Sequence, residues 1–353
     1  MGKETDSANK TTELRSMLRF KQTFLNNETI RWNFTLVILL FLLFCIFGFI
    51  NPKFLSVPRL LGSVNDFISV CIISLSVTFV LVTGGMDIQA GSIVGLTSIS
   101  VGLIWQTLGV NIWAAAVLSL LIGLLCGALS GFLVAFTNVQ PMVVTLGGQF
   151  LYSGIAISVT RLSSTPSYKG ISGFPNSFTG LINGRVFGVI PNQVIIFVFF
   201  IIITYVLLHK TKYGRKVFLC GVNKNAAEYS GIKSKIVIMS TYMLSGISAS
   251  VAGIMLTGYL GTAKADFGNE ITLPIITAVV LGGTSIQGGK GSIIGTAVAA
   301  VLIVVMRFGL SMSGVNTQYF DIPVGVLLIA ALTIRSASEH GGFINLFKKN
   351  AQN

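Results

Sequence analysis

Apolar residues in this chain come in long runs that leave no polar face. From Trp32 to about residue 335, stretches with almost no charge alternate with short polar connections. A helix needs roughly 20 apolar residues to cross about 30 Å of hydrocarbon, so runs of this kind predict bilayer-spanning helices. About ten segments qualify: 33–51, 66–83, 91–108, 112–136, 142–160, 193–208, 236–260, 272–283, 292–310 and 322–335. The eighth is short, and the pattern predicts a half-helix or a re-entrant segment there. The expected architecture is an all-α integral membrane protein, with a polar tail over 1–32, a spanning region over 33–335 and a second tail over 336–353.

Two of the runs are broken by nearly the same glycine-rich phrase. The first, from Gly84 and Gly85 through Asp87 and Ile88-Gln89 to Gly91-Ser92-Ile93, reappears from Gly282 and Gly283 through Ile286-Gln287 to Gly291-Ser292-Ile293. Aligned on the paired glycines, the second copy carries two extra residues before Gly-Ser-Ile. Glycine-broken apolar segments in corresponding halves of a chain point to a transport pathway, because they free backbone groups to meet a polar solute. Chance likeness between glycine-rich segments is the plainer alternative, and the shared Ile-Gln argues against it. Six predicted crossings separate the copies, which makes the repeat parallel; one misplaced crossing would invert it.

Composition supports lipid as the solvent. Hydrophobic residues make up 52% of the 353 and charged residues only 10%, where soluble domains carry roughly 25%. The net charge of +13 gathers between apolar segments, as cytoplasmic loops require, and this excludes a nucleic-acid surface. The connection 209–235 holds seven basic residues (Lys210, Lys212, Arg215, Lys216, Lys224, Lys233 and Lys235) against Glu228, which places it in the cytoplasm together with both termini. Small residues four apart (Gly123, Gly127, Gly131; Gly91, Gly95; Gly291, Gly295, Ala299; Ser245, Ala249, Gly253) predict faces where helix backbones touch.

The chemistry of an enzyme is missing. Cys45, Cys71, Cys126 and Cys220 form no Cys-x-x-Cys pair, and His209 and His340 stand alone, so neither a metal nor a cofactor is indicated. Lys290 follows glycines, yet Thr284 and Gly291 occupy positions where a phosphate loop needs Gly and Ser or Thr. The chain is not expected to hydrolyse ATP by itself; if it pumps, its energy comes from a partner. Asp66, Asp87, Arg307 and Asp321 are placed at predicted membrane edges. No carboxylate falls at a predicted mid-membrane position, which speaks against an ion-coupled transporter. Asp87 has two readings: a cap on the helix that starts near Gly91, or a contact to a gate. A neutral, hydroxyl-rich solute fits a pathway without acidic clusters or aromatic cages.

The 209–235 connection has internal order. Residues 223–230 read as a short helix with Asn223 as N-cap and Gly231 as its stop, suited either to a partner's groove or to lipid headgroups. From Gly214-Arg215 through Gly221, Asn223, Ala226-Ala227 and Ser230-Gly231-Ile232, the chain resembles the permease family of ribose-type ABC sugar importers. Asn225 stands where that family usually has Glu. Gly84–Ser92, Pro141 with Val144-Thr145-Leu146-Gly147, and Leu281–Gly291 match further family motifs in the same order. Asn51-Pro52, 63–67, 168–175, 261–268 and 276–283 carry a narrower likeness, to a branch that takes a small furanosyl polyol.

This resemblance implies a bacterial inner-membrane subunit that pairs with a second, similar permease and receives solute from a periplasmic solute-binding protein. A cytoplasmic ABC ATPase would dock on Gly214, Arg215, Gly221, Asn223, Ala226, Ala227, Glu228 and Gly231. Gly84, Gly85, Asp87, Gly91, Ser92, Pro141, Thr145, Gly282, Gly283 and Gly291 are the expected pathway or gate.

Overall fold

A computed structural model of the chain describes residues 28–137, 139–163 and 169–339. The N-terminal tail before Glu28, Tyr168, His340 and the C-terminal tail lie outside the described residues.

The fold is helical. The long helices are α1 (Glu28–Ile50), α2 (Val57–Val82), α3 (Ala90–Gln106), α4 (Ile112–Phe136) and α5 (Pro141–Thr160) in the first half. A short α6 (Asn176–Asn183) precedes α7 (Asn192–Tyr205), α8 (Lys212–Val222), α9 (Lys224–Tyr229), α10 (Ser234–Leu260), α11 (Thr272–Leu281), α12 (Ile293–Met312) and α13 (Asp321–Glu339). Every predicted segment contains a helix. Among the described residues, seven helical stretches are long and apolar enough to cross a membrane, α7 being one with its continuation to Lys210, while the apolar stretches Ala90–Gln106, Thr272–Leu281 and Thr317–Ala331 are shorter.

Burial sorts these helices into a centre and a periphery. In α2, 78% of the apolar span is buried, and in α12 72%, whereas α1 buries 11% and α5 and α7 each 22%. The outward faces of the peripheral helices carry Phe41, Phe49, Phe150 and Phe199, a surface that only lipid or another apolar chain would cover. At the centre α10 packs on α4, α2 and α3, and α12 packs on α2 and α1. Apolar burial gives little drive to association in lipid, so close backbone approach must supply it. On α4, a Cβ at Gly127 would fall on the Tyr242 carbonyl oxygen of α10, and one at Gly123 on the Ser250 hydroxyl. Hydroxyl pairs add cross-links: Thr78 with Thr296 at 2.9 Å joins α2 to α12, and Ser98 with Thr257 at 2.7 Å joins α3 to α10.

Three features depart from the sequence pattern. Helix α2 begins nine residues before the predicted 66, because Pro58 at its first turn starts the helix and a kink at Phe67 absorbs the polar Asn65-Asp66. The connection 161–192 contains α6 and a hairpin pairing Arg185 and Val186 with Pro191 and Ile190, and its Ile171–Ser172 strand pairs with Thr262–Ala263. Arg307 and Asp321, read separately, form an ion pair at 2.5 Å, with the guanidinium over the Phe67 ring.

Replacing Gly127 by Leu forces α4 away from α10 and should destabilise the subunit by about 1–3 kcal/mol. Gly154, which has nothing within 4 Å of a built Cβ, should accept the same change at little cost. Thermal midpoints of the two detergent-solubilised variants check this.

Candidate functional site: a glycine junction and a buried polar break

The two glycine phrases end their helices in the same way. After α2, the Gly84 amide donates to the Leu81 carbonyl and the Gly85 amide to Val80; after α11, Gly283 donates to Val280 and Thr284 to Val279. This is the paired 5→2 and 6→1 pattern that closes a helix on a left-handed residue. That residue is Gly84 (φ 78°) in one copy and Gly283 (φ 91°) in the other. Gly283 therefore corresponds to Gly84, and Thr284 to Gly85. The second copy has one extra residue before Gly-Ser-Ile, not two. Matching letters placed the gap wrongly because the hydrogen-bond pattern needs only one glycine, at the left-handed position.

The two phrases meet, and α8 joins them. The Gly289 amide donates to the Val82 carbonyl at 2.8 Å. A Cβ at Gly221, near the end of α8, would fall on that same Val82 oxygen and lie 2.6 Å from the Gly289 nitrogen. Gly288 (φ 88°) stands equally close to the Gly221 carbonyl and the Gly84 amide. Three backbones thus touch without a side chain between them. On the other flank, the Trp32 indole donates to the Leu281 carbonyl at 2.6 Å, and Gly295 lets α12 rest on Gly282.

Beyond Gly85 the chain turns into the bundle. Ile88 accepts a hydrogen bond from the Thr272 hydroxyl (3.3 Å) at the start of α11, although Gly84 lies beside the loop after that helix ends. The ten residues of α11 rise about 15 Å at 1.5 Å each, so the 84–89 break climbs back along α11. Its backbone is satisfied by side chains of other helices. Met86 O accepts from Thr145 of α5 (3.2 Å) and from Tyr242 of α10 (3.3 Å).

Asp87 is 1% exposed, in contrast to the membrane-edge position expected from sequence. One carboxylate oxygen accepts from the Gln89 amide (3.1 Å), holding the first turn of α3, and the other from Ser245 (2.5 Å), near the middle of α10. The edge placement assumed that the break stays outside the bundle. A buried carboxylate also removes the sequence-based argument against ion coupling.

Gln89 extends the network. Its Oε1 accepts from Ser130 of α4 at 2.7 Å; Ser130 Oγ stands 3.1 Å from the Tyr152 hydroxyl of α5, which donates to the Cys126 carbonyl at 2.9 Å. The Gln89 Nε2 is buried with no partner among the described residues. An unmade buried hydrogen bond costs about 1–3 kcal/mol, so this network is not at rest energetically.

The expected site residues thus divide. Gly84, Gly221 and Gly291 lie at the junction, and Gly282 and Gly283 on its Trp32 flank; Gly291 packs on the Val82 side chain. Gly85, Asp87 and Thr145 lie at the break, Gly85 against the Tyr242 hydroxyl. Ser92 donates back to Gln89 O at 2.7 Å, Gly91 packs on the Gly268 carbonyl, and Pro141 begins α5. Sequence reading missed Gln89 as a node, took Ser245 only as part of a packing face, and missed Ser130, Tyr152 and Tyr242 altogether. Single polar residues inside apolar helices gave the only signal.

Gly214, Arg215, Asn223, Ala226, Ala227, Glu228 and Gly231 run along α8 and α9. Asn223 caps α9 through the Ala226 amide (3.0 Å) and Gly231 follows at φ 81°; the eleven-residue α8 before it was not foreseen. Leu219, Val222 and Tyr229 are exposed on this pair, Tyr229 at 93%.

A bundle of apolar helices with a polar break at its centre is compatible with carrying a polar solute, and comparison with known proteins gives the class. Residues 59–332 match the family described as branched-chain amino acid transport system / permease component. The chain belongs to this family of ABC import permeases, multi-pass subunits that carry no catalysis and act with ATPase and binding-protein partners. It is 41% identical over 309 residues to the autoinducer 2 import system permease protein LsrD of Photorhabdus laumondii, covering 88% of this chain and 92% of that one. LsrD of Enterobacter sp. is 38% identical over 324 residues (92% and 98%), and that of Escherichia coli K12 41% over 309 (88% and 93%). No solved structure matches.

Asp87→Leu strands the Gln89 amide and the Ser245 hydroxyl and should abolish uptake, whereas Asp87→Asn, which can still accept from Gln89, should retain most of it. Uptake by cells carrying each variant, normalised to membrane protein, is the check.

Proposed function

We propose that this chain is one half of a heterodimeric permease that carries autoinducer-2, a small furanosyl polyol, across the inner membrane, driven by a cytoplasmic ABC ATPase. The solute is taken from what the LsrD relatives are named for, at 38–41% identity over most of both chains. A neutral polyol also agrees with a break whose polar contacts are hydroxyls, amides and one carboxyl. In this reading α8 and α9 dock on the ATPase through Arg215, Asn223, Ala226, Glu228 and the apolar Leu219, Val222 and Tyr229. The basic residues around them set this end of the bundle in the cytoplasm. Ten crossings return the C-terminus to the same side, and the glycine phrases form a parallel repeat.

One observation carries the mechanism: the backbone contact of Gly221 with Val82 and Gly289. Groups packed without intervening side chains move together, because close-packed interiors transmit displacement instead of absorbing it. A push on α8 when the ATPases close would therefore displace the end of α2 and the second glycine loop. The 84–89 break would follow, and with it the helices that hold it: α4, α5, α10 and α11. A relative specialised for ribose would share this machinery, so the identity of the solute must come from uptake.

The test is reconstitution with the second permease, the ATPase and the binding protein in vesicles. Autoinducer-2 should accumulate only with ATP and binding protein, and uphill accumulation by this subunit alone would refute the reading. Gly221→Ala pries α8 off Val82. It should leave ATP hydrolysis in place while uptake falls about tenfold, the equivalent of about 1.4 kcal/mol of lost coupling.

A further inference from the structure

Helices α3, α4 and α5 enclose a groove of about 460 Å³ that runs from the level of the break toward the end of the bundle opposite α8. Leu96, Leu103, Ile122 and Ile155 form its walls, and Tyr152 and Cys126 line it beside the polar network. Neither Ser130 nor Gln89 lines the groove; both lie behind Tyr152, hydrogen-bonded in a chain from its hydroxyl to Oε1 of Gln89. Gly148 makes this possible, since a Cβ there would fall on Gln89 Oε1 and lie 3.3 Å from the Tyr152 ring. The α5 helix thus presents a bare backbone to the Gln89 amide and, one turn later, covers it with an aromatic ring.

The hydroxyls of Tyr152 and Ser130 join the Cys126 carbonyl to the Gln89 amide through three hydrogen bonds. The Gln89 Nε2 has no partner among the described residues, in a side chain with 0% exposure. A buried amide with spare hydrogen-bonding capacity favours a ligand that can both donate and accept, as a hydroxyl can. Apolar walls with a few convergent polar groups at one end are also the usual make-up of a small-molecule site, and the volume lies in the usual range of roughly 300–1,000 Å³.

We infer that this groove is the outer vestibule for the solute and that Tyr152, Ser130 and Gln89 form its inner gate, recognising a neutral polyol by exchanging their mutual hydrogen bonds for bonds to its hydroxyls. This rests on the importer reading above. The apolar walls offer the solute few competing hydrogen bonds, and the unpaired Gln89 amide favours a hydroxyl over an apolar molecule. Displacement of the break, which carries Gln89, would open the gate from below. The junction and the gate are joined through eight residues of chain, Val82 to Gln89.

The test uses the complete importer in vesicles. In a background without the native cysteines, Ile155→Cys places a thiol on the groove wall. A membrane-impermeant thiosulfonate added outside should modify it, and saturating solute delivered by the binding protein should slow that reaction. Gln89→Leu should cut uptake about tenfold while binding-protein-stimulated ATP hydrolysis persists, because recognition is lost and drive is not. Tyr152→Phe, which keeps the ring, should shift the ratio of autoinducer-2 to ribose uptake. If the water-borne reagent never reaches the thiol of the Ile155→Cys variant, lipid or protein fills the groove, and this overturns the proposal even if Gln89→Leu fails to assemble. Wild-type uptake by Gln89→Leu overturns it as well. If the wild-type assembly transports neither solute but still hydrolyses ATP, the importer reading has failed on its solute; thiol modification unaffected by either solute and by ribose-class polyols then counts separately against the vestibule.

Discussion

A helix interrupted inside a bilayer exposes amides and carbonyls where no water can reach them, and each one left unpaired costs several kcal/mol. The segment between α2 and α3, with the end of α2, meets this demand by borrowing partners from four other parts of the chain. Val82 O is taken by the Gly289 amide, Met86 O by Thr145 and Tyr242, Ile88 O by Thr272, and the Gln89 amide by the Asp87 carboxylate, itself held by Ser245. The constraint that makes the break tolerable is therefore the same one that ties it to α5, α10, α11 and the second glycine loop. A break so tied cannot shift without moving its neighbours, and they cannot shift without straining it.

This dependence gives the subunit its mechanical character. The α8 helix is short and amphipathic and would ordinarily be a loose surface element. It gains purchase because Gly221 lets its backbone rest on the carbonyl end of α2. Membership in the ABC import permease family places the source of force outside the chain. In the proposed mechanism the bundle needs only a stiff route from a docked partner to the break, and bare backbone contacts supply stiffness where long side chains would yield.

Much of this was legible in the sequence, and the reasons for the rest are specific. Ten apolar runs located ten helices because lipid leaves little choice about what can span it. Small-residue spacing marked the faces of α4 and α10 that make close contacts, because only a missing Cβ permits them, while Gly91 and Gly95 of α3 rest on residues 265–268. Asn223 and Gly231 fixed the ends of α9 because capping is local chemistry. The start of α2 was misplaced because Pro58 starts the helix ahead of the apolar run and the helix continues through the polar Asn65 and Asp66. Asp87 was put at an edge because linear hydropathy cannot see a chain folding back into the bundle. Tyr152, Ser130 and Ser245 were overlooked because their partners lie 22, 41 or 158 residues away, and nothing local distinguishes a hydroxyl that holds a break from one bonded to its own helix.

The most direct test of the account is whether α8–α9 and the second glycine loop move as one body. Spin labels at Tyr229→Cys and Ile286→Cys, with a third at Phe187→Cys on the far hairpin, report this in the assembled importer with and without trapped ATP. The 229–286 distance should stay fixed while both distances to 187 change. A 229–286 distance that changes while the distance from 286 to 187 stays constant would show α8–α9 moving past a static core, and the account would be wrong.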